Sequence, residues 1–267
     1  MKLEVFFTER PVFTYEEFTN FLAGQNRTNA RTRAALLSYH VGTGRLLRLR
    51  RGLFASVPPG VSPEDCPVDP YLLAAKLADD AVLAYHTALE LHGKAASVRE
   101  EFLCLSRRAP RPLSFRDSRF RGVRFPKSLL RKRQEGYGVE KTDRAGLDLR
   151  VTGLERTVVD LLDRPALGGG WEEVWRSLAS VEYLDVEQMV RYALLLDNAT
   201  TAARVGFYLD RQREALLLED KHLAPLLKHR PAVPHYLDRS RKPGKLASKW
   251  NLVVPERLLK RPGEAEG

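Results

Sequence analysis

Three carboxylates, Glu155, Asp160 and Asp163, fall within one stretch of helical pattern, Leu154 to Asp163. Asp160 and Asp163 stand i,i+3 and could share a metal, but no lysine lies at the spacing a nuclease core requires, so they read as surface acids of that helix. Glu155 and Arg156 read as a cap and an ion pair. His86 and His92 are six residues apart and face different ways on a helix, whereas paired zinc ligands need i,i+4; they read as packing or capping histidines. Gly168-Gly-Gly170 lacks the following Lys-Ser/Thr of a phosphate loop, and no GxSxG, HExxH or GxGxxG motif occurs. Cys66 and Cys104 are the only cysteines and form no CxxC pair, which excludes a disulfide scaffold and a cysteine-built zinc site and fits a reducing cytoplasm. No catalytic residue, metal or cofactor is expected, and the chain reads as a non-enzyme.

The arginines point to a different chemistry. The 267 residues carry 44 Lys+Arg against 34 Asp+Glu, a formal charge of +10, which favours an anionic partner, nucleic acid ahead of membrane. No run of 18 apolar residues is present, and the opening MKLEVFFTERPVF has too short an apolar stretch for a signal peptide, so no membrane association is expected. The excess is uneven: +5 over residues 1–56, +4 over 57–151 and +1 over 152–267. After Glu17 no acid occurs until Glu64, and seven arginines lie in that gap.

These arginines need elements to position them. Thr14-Tyr-Glu-Glu17 is a capping box with Phe13 and Phe18 as its hydrophobic staple, opening a helix to about Ala23. A second helix should run from Arg27 or Thr28 to about Val41, with Ala30, Ala34, Leu37 and Val41 as its apolar face. Thr28, Arg31 and Thr32 then point away from that face and Asn29 lies at its edge, side chains suited to phosphates and base edges. Leu47-Arg48-Leu49-Arg50 alternates as a half-buried strand, Arg51-Gly52 turns, and Leu53-Phe54-Ala55 returns. Helix, helix and arginine-tipped hairpin read as a winged helix-turn-helix over residues 1–57. Its expected DNA contacts are Arg27, Thr28, Asn29, Arg31, Thr32, Arg33, Arg45, Arg48, Arg50 and Arg51; the alternative is a solvated basic hairpin on a small lobe.

Residues 58–68, rich in proline, read as a linker. Over 69–151, two helices (from Pro70 and from Tyr85, the second ending at Gly93) precede strands at Glu101–Ser106, Arg119–Phe125 and Leu147–Val151, a small α+β unit. Between Arg107 and Arg133 lie eleven basic residues and one acid, Asp117. Arg107, Arg108, Arg111, Arg116, Arg119, Arg121 and Arg124 there admit three readings: a second nucleic-acid face, a groove for an acidic protein, or the wet side of an ordinary amphipathic strand. Residues 152–267 read as mainly helical. Thr152-Gly-Leu-Glu155 is a second capping box, helices follow at about 154–163, 171–180, 186–195, 199–210 and 214–228, and Lys249–Pro255 contains a short strand. Trp171 and Trp175, at i,i+4, read as packing anchors, and Gly206 beside Arg204 marks a close approach.

Five segments, in order, resemble the AbiEi-type antitoxins of bacterial phage-defence systems: Gly44-Arg-Leu-Leu-Arg-Leu-Arg-Arg-Gly-Leu-Phe54, His86-Thr-Ala-Leu-Glu-Leu-His-Gly93, Val151-Thr-Gly-Leu-Glu-Arg-Thr-Val-Val-Asp160, Arg204-Val-Gly-Phe-Tyr-Leu209 and Trp250-Asn-Leu-Val-Val-Pro255. The resemblance implies a cytoplasmic bacterial regulator. Its winged helix would bind inverted repeats in double-stranded DNA of its own promoter, with Arg31, Thr32, Arg48, Arg50 and Arg51 as contacts, and its later domains would counter a cognate nucleotidyltransferase-like toxin. The expectation is therefore an α+β chain: winged helix, small α+β unit, helical C-terminal region. The alternative is a metal-dependent nuclease or nucleic-acid-modifying enzyme targeted by the same lobe.

Overall fold

A computed structural model of the chain describes residues 3–24, 29–238, 241 and 243–259 and is a mixed α+β fold with three sheets. The first lobe comprises α1 (Leu3–Glu9), β1 (Val12–Thr14), α2 (Tyr15–Ala23), α3 (Ala30–Gly42), β2 (Leu46–Arg50) and β3 (Leu53–Ser56). Its sheet has the order β1-β3-β2, all antiparallel. The capping box at α2 is formed: Glu17 N donates to Thr14 Oγ1 at 3.2 Å and Thr14 N to Glu17 Oε2 at 2.8 Å. Phe13 and Phe18, the staple, are both buried with ring centroids 6.0 Å apart. α1 and β1 are additions to the sequence reading. α1 exists to bury Phe6 and Phe7 against those two rings, and each buried ring stabilises by roughly 1.5–3 kcal/mol.

The second and third parts of the chain share one frame. α4 (Pro70–Ala75), β4 (Val82–Leu83), α5 (His86–Leu91), β5 (Glu101–Ser106), β6 (Leu113–Phe115), β7 (Ser118–Arg124), α6 (Lys127–Lys132), β8 (Val139–Arg144) and β9 (Leu147–Thr152) build a six-stranded mixed sheet, order β6-β7-β5-β4-β9-β8. β5 and β7 run parallel, as do β4 and β9. Side chains alternate across a strand. Phe102, Cys104 and Phe120 therefore face one core with Leu72 and Leu73 of α4, while Leu103, Leu105 and Phe125 face another.

That second core is filled by α7 (Leu154–Asp163), α8 (Trp171–Leu178), α9 (Val186–Leu195), α10 (Ala199–Arg211) and α11 (Asp220–His229). A small sheet, β10 (His235–Tyr236), β11 (Lys245–Ala247) and β12 (Leu252–Val254), closes it. The boundary expected at 151–152 thus falls inside a continuous hydrophobic core. The helix expected from 214 starts instead at Asp220: Leu217 takes φ +49, which breaks a helix, and Glu219 N then donates to His222 Nδ1 at 3.0 Å to restart one. The expected Thr152/Glu155 capping box is not formed. Gly153 is the N-cap of α7, Thr152 Oγ1 bonds Thr157 Oγ1 at 2.7 Å, and Glu155 accepts from Asp185 N at 3.1 Å.

The first lobe is joined to this frame by apolar packing. Val12, Leu49, Leu53 and Ala55 belong to the same core as Leu72, Leu73 and Leu77. Glu17 pairs with Lys76 across the join. The proline-rich stretch forms no regular element, but Cys66 is fully buried and its thiol lies 3.4 Å from Ser56 O, so it is fastened rather than slack.

Candidate functional site

α3 packs against β2 of the hairpin, and both elements carry exposed side chains. Asn29 caps α3, its Oδ1 accepting from Arg31 N at 2.9 Å. Arg31, Thr32, Ala35, Ser38 and Tyr39 are exposed along one side, with Tyr39 64% exposed. Ser38 and Tyr39 were missed by the sequence reading, yet they lie seven residues, two helical turns, beyond Arg31 and Thr32. The surface is narrow in polar bulk: small residues flank two forked or aromatic ones. Arg27 and Thr28 lie outside the described residues.

The buried side of α3 differs from expectation. Ala30 and Ala34 are exposed, and the contacts to the core come from Leu37 and His40 with Leu36 and Val41 beside them. The reason is His40, which packs edge-on against Phe7 with centroids 5.1 Å apart and takes the place an aliphatic residue would fill. Burial, reinforced by the charge of Arg45 and opposed by Glu4, lowers the His40 pKa below its usual 6.5.

The hairpin arginines divide. Arg48 on β2 and Arg51 in the turn are exposed, and Gly52 takes φ +78 to make that turn. Arg45 is exposed and lies 3.6 Å from Glu4. Arg33 is half-buried. Arg50, expected to reach toward DNA, is turned inward instead: a bulge between Arg48 and Arg50 shifts the register, and Arg50 Nη2 donates to Leu77 O at 2.7 Å.

The basic stretch 107–133 does not make one face. Alternation along β7 sends Arg119 and Arg121 to one side of the sheet and Arg124 to the other. Arg121 pairs with Glu101 at 3.2 Å and Arg107 with Glu135 at 3.0 Å, while Arg116 donates to Glu64 O and lies over the Phe115 ring. Arg108, Arg111, Arg119 and Arg124 are exposed.

The acids read as surface groups include one that is deep in the core. Asp160 is 2% exposed and accepts from Tyr192 Oη at 2.7 Å, with Arg156 Nε 3.5 Å from its other oxygen. Arg156 is fully buried and donates from Nη1 to Glu135 O at 2.7 Å and Tyr137 O at 2.6 Å. Burial raises the Asp160 pKa, against the pull of Arg156 and the Tyr192 hydroxyl. The i,i+4 pair welds α7 to the loop before β8 and to α9. Among the described residues no group of three or more His, Cys, Asp or Glu side chains is arranged to hold a metal. His92 Nε2 bonds Thr152 O at 2.8 Å, and His86 Nε2 bonds Ser97 O at 2.9 Å beside Glu90.

A charged groove, unread in the sequence, lies at the end of α7. A cavity of about 750 Å³ is lined by Arg121, Arg164, Trp171, Arg204, Asp238 and Arg257, and a second of about 590 Å³ shares Asp163, Arg164, Arg204 and Asp238 with it. Arg204 caps the end of α7, donating from Nη1 to Asp163 O at 2.9 Å and from Nη2 to Leu237 O at 2.6 Å, with its guanidinium 5.3 Å from the Trp171 ring centre. Nearby, Tyr85 is fully buried at φ +57, ψ −131, a strained backbone for a bulky residue, and its hydroxyl has no hydrogen-bond partner.

No family model matches the chain, and no curated protein matches it. Among solved structures, the chain is similar to the RV2827C protein from Mycobacterium tuberculosis at 21% identity and a TM-score of 0.56, covering 91% of this chain and 86% of that one. The likeness is one of fold.

Proposed function

We propose that this protein is a sequence-specific DNA-binding autorepressor and antitoxin that counters a nucleotidyltransferase-like toxin, with the first lobe as a winged helix. The observation that carries the reading is the joint exposure of Arg31, Thr32, Ser38 and Tyr39 on α3 with Arg48 and Arg51 on the hairpin beside it. The order α1-β1-α2-α3-β2-β3 and the strand order β1-β3-β2 support it, because a winged helix uses one helix for a major groove and a hairpin for the flanking backbone, and this lobe has both elements in that order. The toxin partner rests on the resemblance of the five sequence segments.

The test is binding of the full chain to duplex from its own promoter across a salt series. Neutralising about five phosphates gives a slope of log affinity on log salt near −4.5. Arg31→Ala weakens binding and relaxes preference for the repeat, while Arg48→Ala weakens all sequences alike and flattens the slope by about one. Equal binding of promoter and unrelated duplex by the unaltered protein refutes the regulator. Failure of co-expression to relieve growth arrest by the cognate nucleotidyltransferase-like toxin refutes the antitoxin.

A further inference from the structure

We propose that the groove at the end of α7 binds a phosphorylated small molecule of nucleotide size, at a site separate from α3 and the hairpin and independent of the reading given for them. The two cavities share Asp163, Arg164, Arg204 and Asp238, so they are chambers of one groove. Its walls come from β7, the end of α7 and the loop into α8, α8 itself, α10, the segment after β10 and the turn after β12, which pack around one hydrophobic core. A first chamber of about 750 Å³ lies within the range of small-molecule sites.

The first chamber is lined by four arginines, Arg121, Arg164, Arg204 and Arg257, against three acids, Asp163, Glu172 and Asp238, a formal excess of one positive charge that favours an anion. Asp163 is already occupied: it accepts from the Thr201 hydroxyl and the Asn198 amide and pairs with Arg164. Arg164 touches Asp163 through Nε at 3.4 Å, and Arg257 touches Glu172 through Nε at 3.3 Å. A guanidinium carries five N–H groups, so both Nη groups of each remain to donate, and the planar fork fits phosphate oxygens in pairs. Trp171 lines the same chamber, is 5% exposed, and its buried indole N–H has no hydrogen-bond partner. α8 also begins at this wall. Its N-cap is Gly170, at φ +98 with no side chain to cap the first turn, so the leading backbone N–H groups add to the donors. Strain at buried Tyr85, in the electrostatic reach of Asp163 and Arg164, marks the same region.

The test uses the full chain in about 0.15 M salt, where loose phosphate contacts are screened. ATP and inorganic pyrophosphate are titrated by calorimetry and by thermal unfolding. The expected result is saturable binding at one site with a rise in Tm, ATP tighter than pyrophosphate. Arg257→Ala weakens it about tenfold and Arg48→Ala leaves it unchanged. Arg257 is half-exposed in a surface ion pair, and the circular dichroism of the variant checks that it folds; Arg164→Gln serves as a second variant. Absence of saturable binding up to about 10 mM overturns the proposal. So does loss of binding in Arg48→Ala with retention in Arg257→Ala, which places the phosphate on the hairpin. Displacement of ATP by short duplex from the Arg48→Ala protein overturns it too, because the groove then takes nucleic acid.

Discussion

The guanidinium of Arg50 donates to the carbonyl oxygen of Leu77, joining β2 of the first lobe to the turn after α4 at 2.7 Å. Its neighbour Arg48, two residues back on the same strand, is exposed. Two arginines in one motif are therefore placed differently, and under the DNA-binding reading proposed above their variants separate. Arg50→Ala loses a charged hydrogen bond at a half-buried join, a destabilisation of about 1 kcal/mol after solvent screening, read as a fall of roughly 2–4 °C in Tm. The salt slope for DNA stays as it was. Arg48→Ala shows the reverse pattern. An Arg50→Ala protein with unchanged Tm and a flatter slope would move that residue to the DNA.

Gly206 has no room for a side chain. A Cβ there would stand 2.1 Å from Cζ3 of Trp250, whose ring is held by an Nε1 hydrogen bond to Asp210 at 3.3 Å. Gly206→Ala must push the ring out of the core and is expected to cost about 1–3 kcal/mol by denaturant unfolding. Trp250 fluorescence should shift to the red in the native state. An unshifted spectrum with unchanged stability would show that the tail repacks freely.

His40 gives the first lobe a pH dependence. Its folded-state pKa lies below 6.5, so protonation is harder in the fold than in the unfolded chain. The stability it contributes is present above pH 6.5 and is lost as pH falls through the folded value. His40→Leu removes the titration and keeps an apolar side chain, so the fall in stability from about pH 6.5 downward should flatten. Chemical unfolding at a series of pH values measures this; parallel curves for the two proteins would discount His40.

Glu90 acts at lower pH. Burial works to raise its pKa, but hydrogen bonds from His86, Arg99 N and the Tyr71 hydroxyl together hold it below the usual 4.5. Its contribution is complete above about pH 4.5 and disappears as pH falls through the lowered value. Glu90→Gln should be less stable at neutral pH and lose less on acidification. Unfolding midpoints at pH 7 and pH 4 decide it, and an unchanged acid limb would count against this network.

Local chemistry made part of the molecule legible in the sequence. The Thr14/Glu17 box is written in a cap, the arginine hairpin in a turn, and the starts of α7, α8, α9 and α10 in helical spacing. The phase of α3 was misread because His40 scored as polar although it serves as a core aromatic. Asp160 looked like a surface acid and Arg156 like the ion partner of Glu155, since spacing alone does not say which side of a helix faces a sheet. β8, Val139–Arg144, is a polar edge strand with no apolar alternation, and β4 is two residues long. The groove was invisible because Arg121, Arg164, Arg204 and Arg257 are spread over more than half the chain and meet only through tertiary packing.

Because Val12, Leu49 and Leu53 share a core with α4, the first lobe has no swivel against the rest of the chain. Two copies seated on an inverted repeat would carry their whole bodies around the duplex with every added base pair. If the lobe binds repeats as proposed, a spacer lengthened by a full turn, about 10.5 bp, would be tolerated far better than one lengthened by half a turn, and helical phase would become a feature the bound sites must keep.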